Sequence, residues 1–260
     1  MDLCLSLTEL LLQSQKDKVF LFLDYDGTLA EFAPNPDVVL PDKELIQLLS
    51  MLRDHPKVDL AIVSGRRLGH IRNLVPVDGI WLAGSYGVEL VDPQGNEIDR
   101  LNYNKLRPRL EKVKPVWEKL VQNREDFYLE DKGWSIAIHA NGENQDEVDF
   151  VVEKANTIDV PEGFILQGND HFVELCPPEA NKGDSLEYIF ELINPEVHLP
   201  IFLGDDERDE SAFETIRKSG GIGVLISEKE IDSHANCVLR DPKMVRNWLS
   251  DFLKDDFSDE

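Results

Sequence analysis

The chain has 260 residues, 42% of them apolar, with 51 acidic and 27 basic side chains for a formal charge of −24. That apolar content at that length supports a core for one large domain, or for a main domain with an insertion, and excludes a chain disordered throughout. The charge excludes a general basic face for nucleic acid or anionic lipid, leaves a soluble cytoplasmic protein as the expectation, and requires a local positive site for any anionic substrate.

The opening MDLCLSLTELLLQSQK carries Asp2 and Glu9, has no basic start and lacks a small-residue cleavage site. It reads as an amphipathic first helix rather than a signal peptide. VFLFL at 19–23 follows, then LAIV at 60–63, IWLA at 80–83, IFL at 201–203 and GIGVLI at 221–226. These runs are too short for helices and too continuous for half-exposed strands, the pattern of a parallel sheet covered on both faces. Between them, DKELIQLLSMLRD (42–54), KGDSLEYIFELI (182–193) and ERDESAFETIRK (207–218) have helical spacing. Strand alternating with helix predicts an α/β fold, a Rossmann-like, doubly wound parallel sheet.

The middle of the chain breaks this rhythm. A hairpin with its turn at Pro93 to Asn96 precedes a helical stretch at 108–123, in which Pro115 is expected to introduce a kink. FYLED, WSIAIH, a second helix, GFILQG and HFVELC complete an αββαββ segment whose strands alternate apolar and polar residues. Residues 105–179 are therefore expected to form an inserted α+β cap, and 1–104 with 180–260 the core. The terminal DDFSDE reads as a frayed acidic tail. Cys4, Cys176 and Cys237 are odd in number and show no metal-type spacing, so neither a disulfide framework nor a zinc site is expected. No run of about 18 uncharged apolar residues occurs, so no membrane span is expected.

Ligands of open α/β sheets bind beyond the carboxyl ends of the strands. The run at 19 delivers Asp24 and Asp26, the run at 60 delivers Ser64-Gly65-Arg66, and the run at 201 delivers Gly204-Asp205-Asp206; Asn181-Lys182-Gly183 opens a helix. Carboxylates from two strand ends can jointly hold Mg²⁺, which favours one or two carboxylates, waters and phosphate oxygens. Ser64, the backbone N–H groups at Gly65 and Gly27, and the Lys182 ammonium are what a phosphoryl group needs. An in-line carboxylate can then attack phosphorus while a second manages the proton. Singly, each feature has a plainer reading: a turn at Asp26-Gly27, a helix N-terminus at Asp205 to Asp209, a cap at Ser64, a solvated Lys182. Their convergence on one sheet edge favours chemistry.

DYDGT, SGR, NKG and GDDERDE resemble, in order and spacing, the four motifs of the haloacid dehalogenase-like phosphohydrolases. The resemblance implies Asp24 as nucleophile and Asp26 as general acid/base. It also implies Mg²⁺ on the Asp24 side chain, the Asp26 backbone carbonyl and Asp205, with Ser64 and Lys182 on the phosphoryl group and Asp206 and Asp209 supporting them. LEDKGWSIAIH, HFVELCPPEANKG, GSYGVE and GDDERDESAF are similar to the trehalose-6-phosphate phosphatases within that superfamily. This implies Glu130, Lys132 and Glu174 as sugar contacts, with Arg66 and Asn181 near the entrance, and a functional pairing with a glycosyl-phosphate synthase. Tyr86 stands where that family's pattern has histidine, and Cys176 where it has arginine. Three alternatives stay open: a phosphatase of another glycosyl phosphate, such as a glucosyl- or mannosyl-glycerate, a glycerol or a sucrose phosphate; a glycosyltransferase using DYD as a metal site; and a non-catalytic module that senses sugar phosphate or docks on a synthase.

Overall fold

The computed structural model describes residues 3–32, 39–140, 142, 144–193 and 195–255. Residues 256–260, most of the expected acidic tail, lie outside them. The chain divides into two compact units, Met1–Ile98 with Asn181–Glu260, and Asp99–Ala180; the sequence had put the change at 105 and 179.

The first unit is built on strands β1 (Lys18–Leu23), β2 (Val58–Val63), β3 (Trp81–Gly84), β4 (Glu89–Val91) and β5 (Glu97–Asp99), and later β10 (His198–Gly204), β11 (Ile222–Ile226) and β12 (Cys237–Leu239). They form one sheet in the order β12-β11-β10-β1-β2-β3-β4-β5. Pairing is parallel from β12 through β3, and β4 runs antiparallel to β3. In β1, Val19, Leu21 and Leu23 face a core shared with α1 (Leu7–Ser14), α2 (Lys43–Asp54), α3 (Leu68–Leu74) and α8 (Pro242–Phe252). Phe20 and Phe22 face a second core with α6 (Lys182–Leu192) and α7 (Glu210–Lys218). Burial on both faces, about 1.5–3 kcal/mol for each large apolar side chain, explains the continuous rather than alternating apolar runs. This is the doubly wound arrangement expected.

The second unit has α4 (Tyr103–Val121), β6 (Phe127–Asp131), β7 (Ile136–Ala140), α5 (Gln145–Asn156), β8 (Ile165–Asn169) and β9 (Phe172–Cys176). Its sheet, ordered β6-β7-β9-β8, is antiparallel. Leu110, Val113 and Trp117 of α4 and Val148 and Val151 of α5 pack with Ile136, Ile138, Val173 and Leu175. The alternate residues form a cross-strand row, Glu130, Ala137, Glu174 and Gln167. Helix α4 runs unbroken through Pro108 and Pro115.

One expectation fails. Cys4 and Cys237 are disulfide-bonded, with Cα atoms 5.0 Å apart at a sequence separation of 233, and Cys176 is buried outside that bond. The pairing depends on the first residues lying along the sheet edge, where Leu3 pairs in parallel with Val238. Cysteine spacing carries no trace of that register. Among the described residues, no helix is long and apolar enough to cross a membrane.

Candidate active site

Strand β1 ends at Leu23 and delivers Asp24, whose backbone N–H donates to the Leu203 carbonyl at 3.0 Å. The chain then reverses. Leu29 and Ala30 both donate to the Tyr25 carbonyl at 2.9 Å, and Gly27 donates to the Ala30 carbonyl at 2.7 Å. Gly27 has φ +77°, and a Cβ there would lie 2.0 Å from Asp205 Oδ2, so the turn requires glycine twice over. The buried Thr28 hydroxyl is 3.4 Å from both Asp24 Oδ2 and Asp205 Oδ1 and can donate to one at a time.

Beyond β10, Asp209 ties the acidic loop together. Its Oδ2 accepts from the backbone N–H of Asp205 at 2.9 Å and of Asp206 at 3.3 Å. A Cβ on Gly204 would fall 2.4 Å from that carboxylate, which is why a glycine precedes the acidic run. Lys182 opens α6 behind Asn181, whose Oδ1 caps the helix by accepting from the Asp184 N–H at 2.8 Å. The Lys182 Nζ lies 2.8 Å from Asp24 Oδ1 and donates to Asp209 Oδ1 in a short bond. Asp24, Lys182 and Asp209 are all buried.

Burial pushes the Asp24 carboxyl well above its usual range; Lys182 opposes this, while Asp209 and Asp205 reinforce it. Asp205 is pushed up to about 7 by burial and then by Asp206 and Asp209. Burial alone would lower the Lys182 ammonium, but Asp209, Asp24 and Asp206 outweigh it and raise it further. One ammonium thus faces a cluster of carboxylates. Oxygens of Asp24, Asp205 and Asp209 lie within 4.8 Å of one another and could hold a metal ion. This all-oxygen donor set suits a hard divalent cation, which would relieve the repulsion that raises Asp205.

The loop after β2 is organised differently from the expectation. Ser64 is buried; its N–H donates to the Ala83 carbonyl at 2.8 Å and its Oγ accepts from the Arg66 N–H at 3.2 Å. Arg66, expected near a sugar, donates from Nε and Nη2 to the two oxygens of Asp26, each at 2.6 Å. The Asp26 side chain therefore faces Arg66, and Asp209, expected only as support, is the third carboxylate of the cluster. Asn181 serves as a helix cap.

In the second unit, Glu174 is buried and its Oε1 accepts from Lys132 Nζ at 3.1 Å and from Ser135 Oγ at 2.7 Å, while Oε2 accepts from Gln167 at 3.3 Å. Glu130 lies 3.8 Å from the same ammonium and 2.8 Å from His139 Nε2. Burial would raise the Glu130 carboxyl, but His139 and Lys132 overcome it and the net shift is downward. The three expected residues do meet. Ser135, Gln167 and His139 join them unannounced, because only strand register reveals that Gln167 lies in the Glu130–Glu174 row and that Ser135 and His139 stand two residues to either side of its Ala137.

The parallel sheet with acidic strand-end loops has the haloacid dehalogenase-like fold. A model of the trehalose-phosphatase family matches residues 22–243, and the chain belongs to that family. Trehalose-phosphate phosphatase B of Arabidopsis thaliana is 28% identical over 89% of this chain and 65% of its own. An uncharacterized glycosyl hydrolase of Mycobacterium tuberculosis is 31% identical over 90% of this chain, which spans only 18% of that protein. The C-terminal domain of a Candida albicans trehalose-6-phosphate phosphatase superposes with a TM-score of 0.82 at 19% identity, covering 98% of each chain.

Proposed function

We propose that this chain hydrolyses the phosphate monoester of a disaccharide or glycoside phosphate, trehalose 6-phosphate foremost, with Mg²⁺ as cofactor. The observation that carries the reading is the buried Lys182 ammonium held between Asp24 and Asp209 at the sheet edge where Asp205 and Ser64 also arrive. Family membership supports the reaction class. Lys182 and Ser64, with the Gly65 backbone, hold the phosphoryl oxygens. Asp24 attacks phosphorus; the ester P–O bond breaks, its electron pair goes to the sugar oxygen, and Asp26 supplies the proton. Asp26 then takes a proton from the water that releases phosphate from Asp24. Because Arg66 occupies both Asp26 oxygens, Asp26 gives up at least one of those bonds to reach a leaving oxygen.

Asp24 and Asp205, with Asp209 beside them, would hold Mg²⁺, which supplies charge neutralisation at the phosphoryl group. Residues 99–180 serve as the cap, with Glu130, Lys132 and Glu174 as hydrogen-bonding groups for sugar hydroxyls. The substrate arises by glycosyl transfer onto a sugar phosphate, so a synthase of that class is the functional partner. A cytoplasmic setting goes with that role. Tyr86 and Cys176 favour a second reading, in which the glycoside is not trehalose.

The test is phosphate release from trehalose 6-phosphate, sucrose 6-phosphate and glucosyl- and mannosyl-glycerate phosphates, with Mg²⁺ or with EDTA. Release is expected from at least one of them, dependent on Mg²⁺, and Asp24→Asn should reduce it by more than about a thousandfold. Turnover that survives Asp24→Asn would refute the mechanism. Release from a glycerate phosphate alone would move the substrate to the second reading.

A further inference from the structure

The Ser64-Gly65-Arg66 loop takes its shape from the turn that follows β3. Ser85 N–H donates to the Arg66 carbonyl at 2.7 Å, and Tyr86 N–H donates to the Ser64 carbonyl at 2.9 Å. Both turn residues have left-handed backbones, at φ 50° and 55°. That conformation is costly for a residue with a side chain and persists only where the surroundings impose it. Glu89, the first residue of β4, supplies a constraint of this kind. Its Oε2 accepts from the buried Ser85 Oγ at 2.8 Å and from the N–H of Leu68, the first residue of α3, at 3.2 Å. Arg67, at the N-cap position of α3, makes no side-chain cap, so a carboxylate from β4 satisfies the helix end instead. Little slack remains, since Gly84 pairs with Glu89 across β3 and β4, and a Cβ on Gly84 would lie 2.4 Å from the Leu68 nitrogen. One carboxylate oxygen thus joins the 85–86 turn to the residue that closes the 64–67 loop.

We propose that Glu89 is a positioning residue for phosphoryl binding, acting through the 85–86 turn on the direction of the Gly65 N–H. The proposal rests on the reading that Ser64 and the Gly65 backbone hold the phosphoryl oxygens. The Ser64 carbonyl and the Gly65 N–H belong to one trans peptide plane and point in opposite directions. Tying that carbonyl to Tyr86 N–H therefore turns the Gly65 N–H away from the 85–86 turn, and tying the Arg66 carbonyl to Ser85 N–H does the same for the Arg67 N–H. A peptide beside glycine has little steric resistance to flipping, so the constraint has to come from outside the loop. Glu89 provides it from both ends, through Ser85 on the turn and through Leu68 on the helix. Asp24, Lys182 and Asp205 are delivered by β1, α6 and β10, so loss of Glu89 falls on affinity for the phosphoryl group more than on the chemical step.

The experiment measures inorganic phosphate binding by calorimetry in the presence of Mg²⁺, for the wild type, Glu89→Gln, Glu89→Ala and Ser85→Ala. In parallel, kcat and KM are measured on trehalose 6-phosphate, and folding is checked by thermal melts. Glu89→Ala is expected to weaken phosphate binding by about tenfold and to raise KM by a similar factor, with kcat falling less. Glu89→Gln keeps an oxygen acceptor for both donors and should stay within about threefold of the wild type. Ser85→Ala removes one donor and leaves the Leu68 bond, so it should fall between them, and it decides the matter if Glu89→Ala does not fold. A side chain that only stabilised the fold would lower the melting temperature of Glu89→Ala and leave phosphate affinity and KM within about twofold, and that result overturns the proposal. Glu89→Gln as weak in phosphate binding as Glu89→Ala also overturns it, because acceptor geometry is what glutamine keeps. A wild type that binds phosphate yet hydrolyses no glycoside phosphate overturns the phosphatase reading instead, and Glu89 is then judged on phosphate binding.

Discussion

Gly27 shows how narrowly the site is built. Its φ of +77° and the 2.0 Å from a would-be Cβ to Asp205 Oδ2 mean that any side chain both strains the turn and displaces a carboxylate of the cluster. Gly27→Ala is expected to cost about 1–3 kcal/mol of stability and to weaken divalent-cation binding by more than about tenfold, measured by calorimetry with Mg²⁺. Gly95 is the control: it has φ +86°, but a Cβ there meets nothing within 4 Å. Gly95→Ala should cost about 1 kcal/mol and leave cation binding alone. Equal cation affinity in the two variants would mean that Asp205 is not a ligand. Asp24, Ser64, Lys182 and Asp205 were legible in the sequence because each follows a buried run or opens a helix, and the carboxyl ends of parallel strands share an edge. The Arg66–Asp26 pair was not. It joins residues 40 apart through the reversal at 25–30 and the β1–β2 register, neither of which residue spacing encodes.

Helix α4 is fastened to β6 by an ion-pair cluster. Asp131 accepts from Arg107 Nη1 and Nη2 at 2.6 Å each and from Lys114 Nζ at 2.7 Å, Arg107 and Lys114 being two turns apart on one helix face. The Arg107 guanidinium beside Asp131, with Lys114 behind it, outweighs partial burial and holds its carboxyl well below the usual carboxylate range. A carboxyl lowered by folding contributes stability that is complete above its unfolded pKa of about 3.9 and is lost as pH falls below that value. Asp131→Asn should therefore cost about 1–2 kcal/mol at pH 7, a figure reduced for solvent screening, and progressively less as pH falls below about 4. Urea denaturation of both proteins at pH 7, 5 and 3 measures it, and a gap that does not narrow at pH 3 would assign the loss to packing. At this scale the sequence was uneven. Val245, Trp248, Leu249 and Phe252 lie on the buried stripe of α8, and Asp241 with Pro242 marks its start. That helix carries its signals in the residues themselves. Strand β12, three residues long at the edge, had almost none.

Across the whole molecule, the least legible feature is the closure of the chain on itself. Leu3 adds a parallel bridge to Val238, Cys4 N–H donates to the Val238 carbonyl at 3.2 Å, and Trp248 Nε1 donates to the Leu5 carbonyl at 2.8 Å. The Cys4–Cys237 bond therefore closes a 233-residue separation over contacts that hold the segment without it. Closing so long a loop restricts the unfolded chain, and by chain-entropy reasoning the bond adds about 3–5 kcal/mol. Reduction is expected to lower the denaturation midpoint by that amount. The Cys4→Ser, Cys237→Ser double variant should match the reduced protein and ignore reductant. The linked strand β12 is separated from β1 by β11 and β10, so phosphate release by the double variant should equal that of the wild type. Thiol titration of denatured protein purified without reductant should find one thiol, Cys176. In a reducing compartment the bond would stay open, and there the segment would rest on its backbone bridge and on Trp248. Three titratable thiols, with a midpoint that reductant does not move, would show that this chain works with Cys4 and Cys237 as free neighbours.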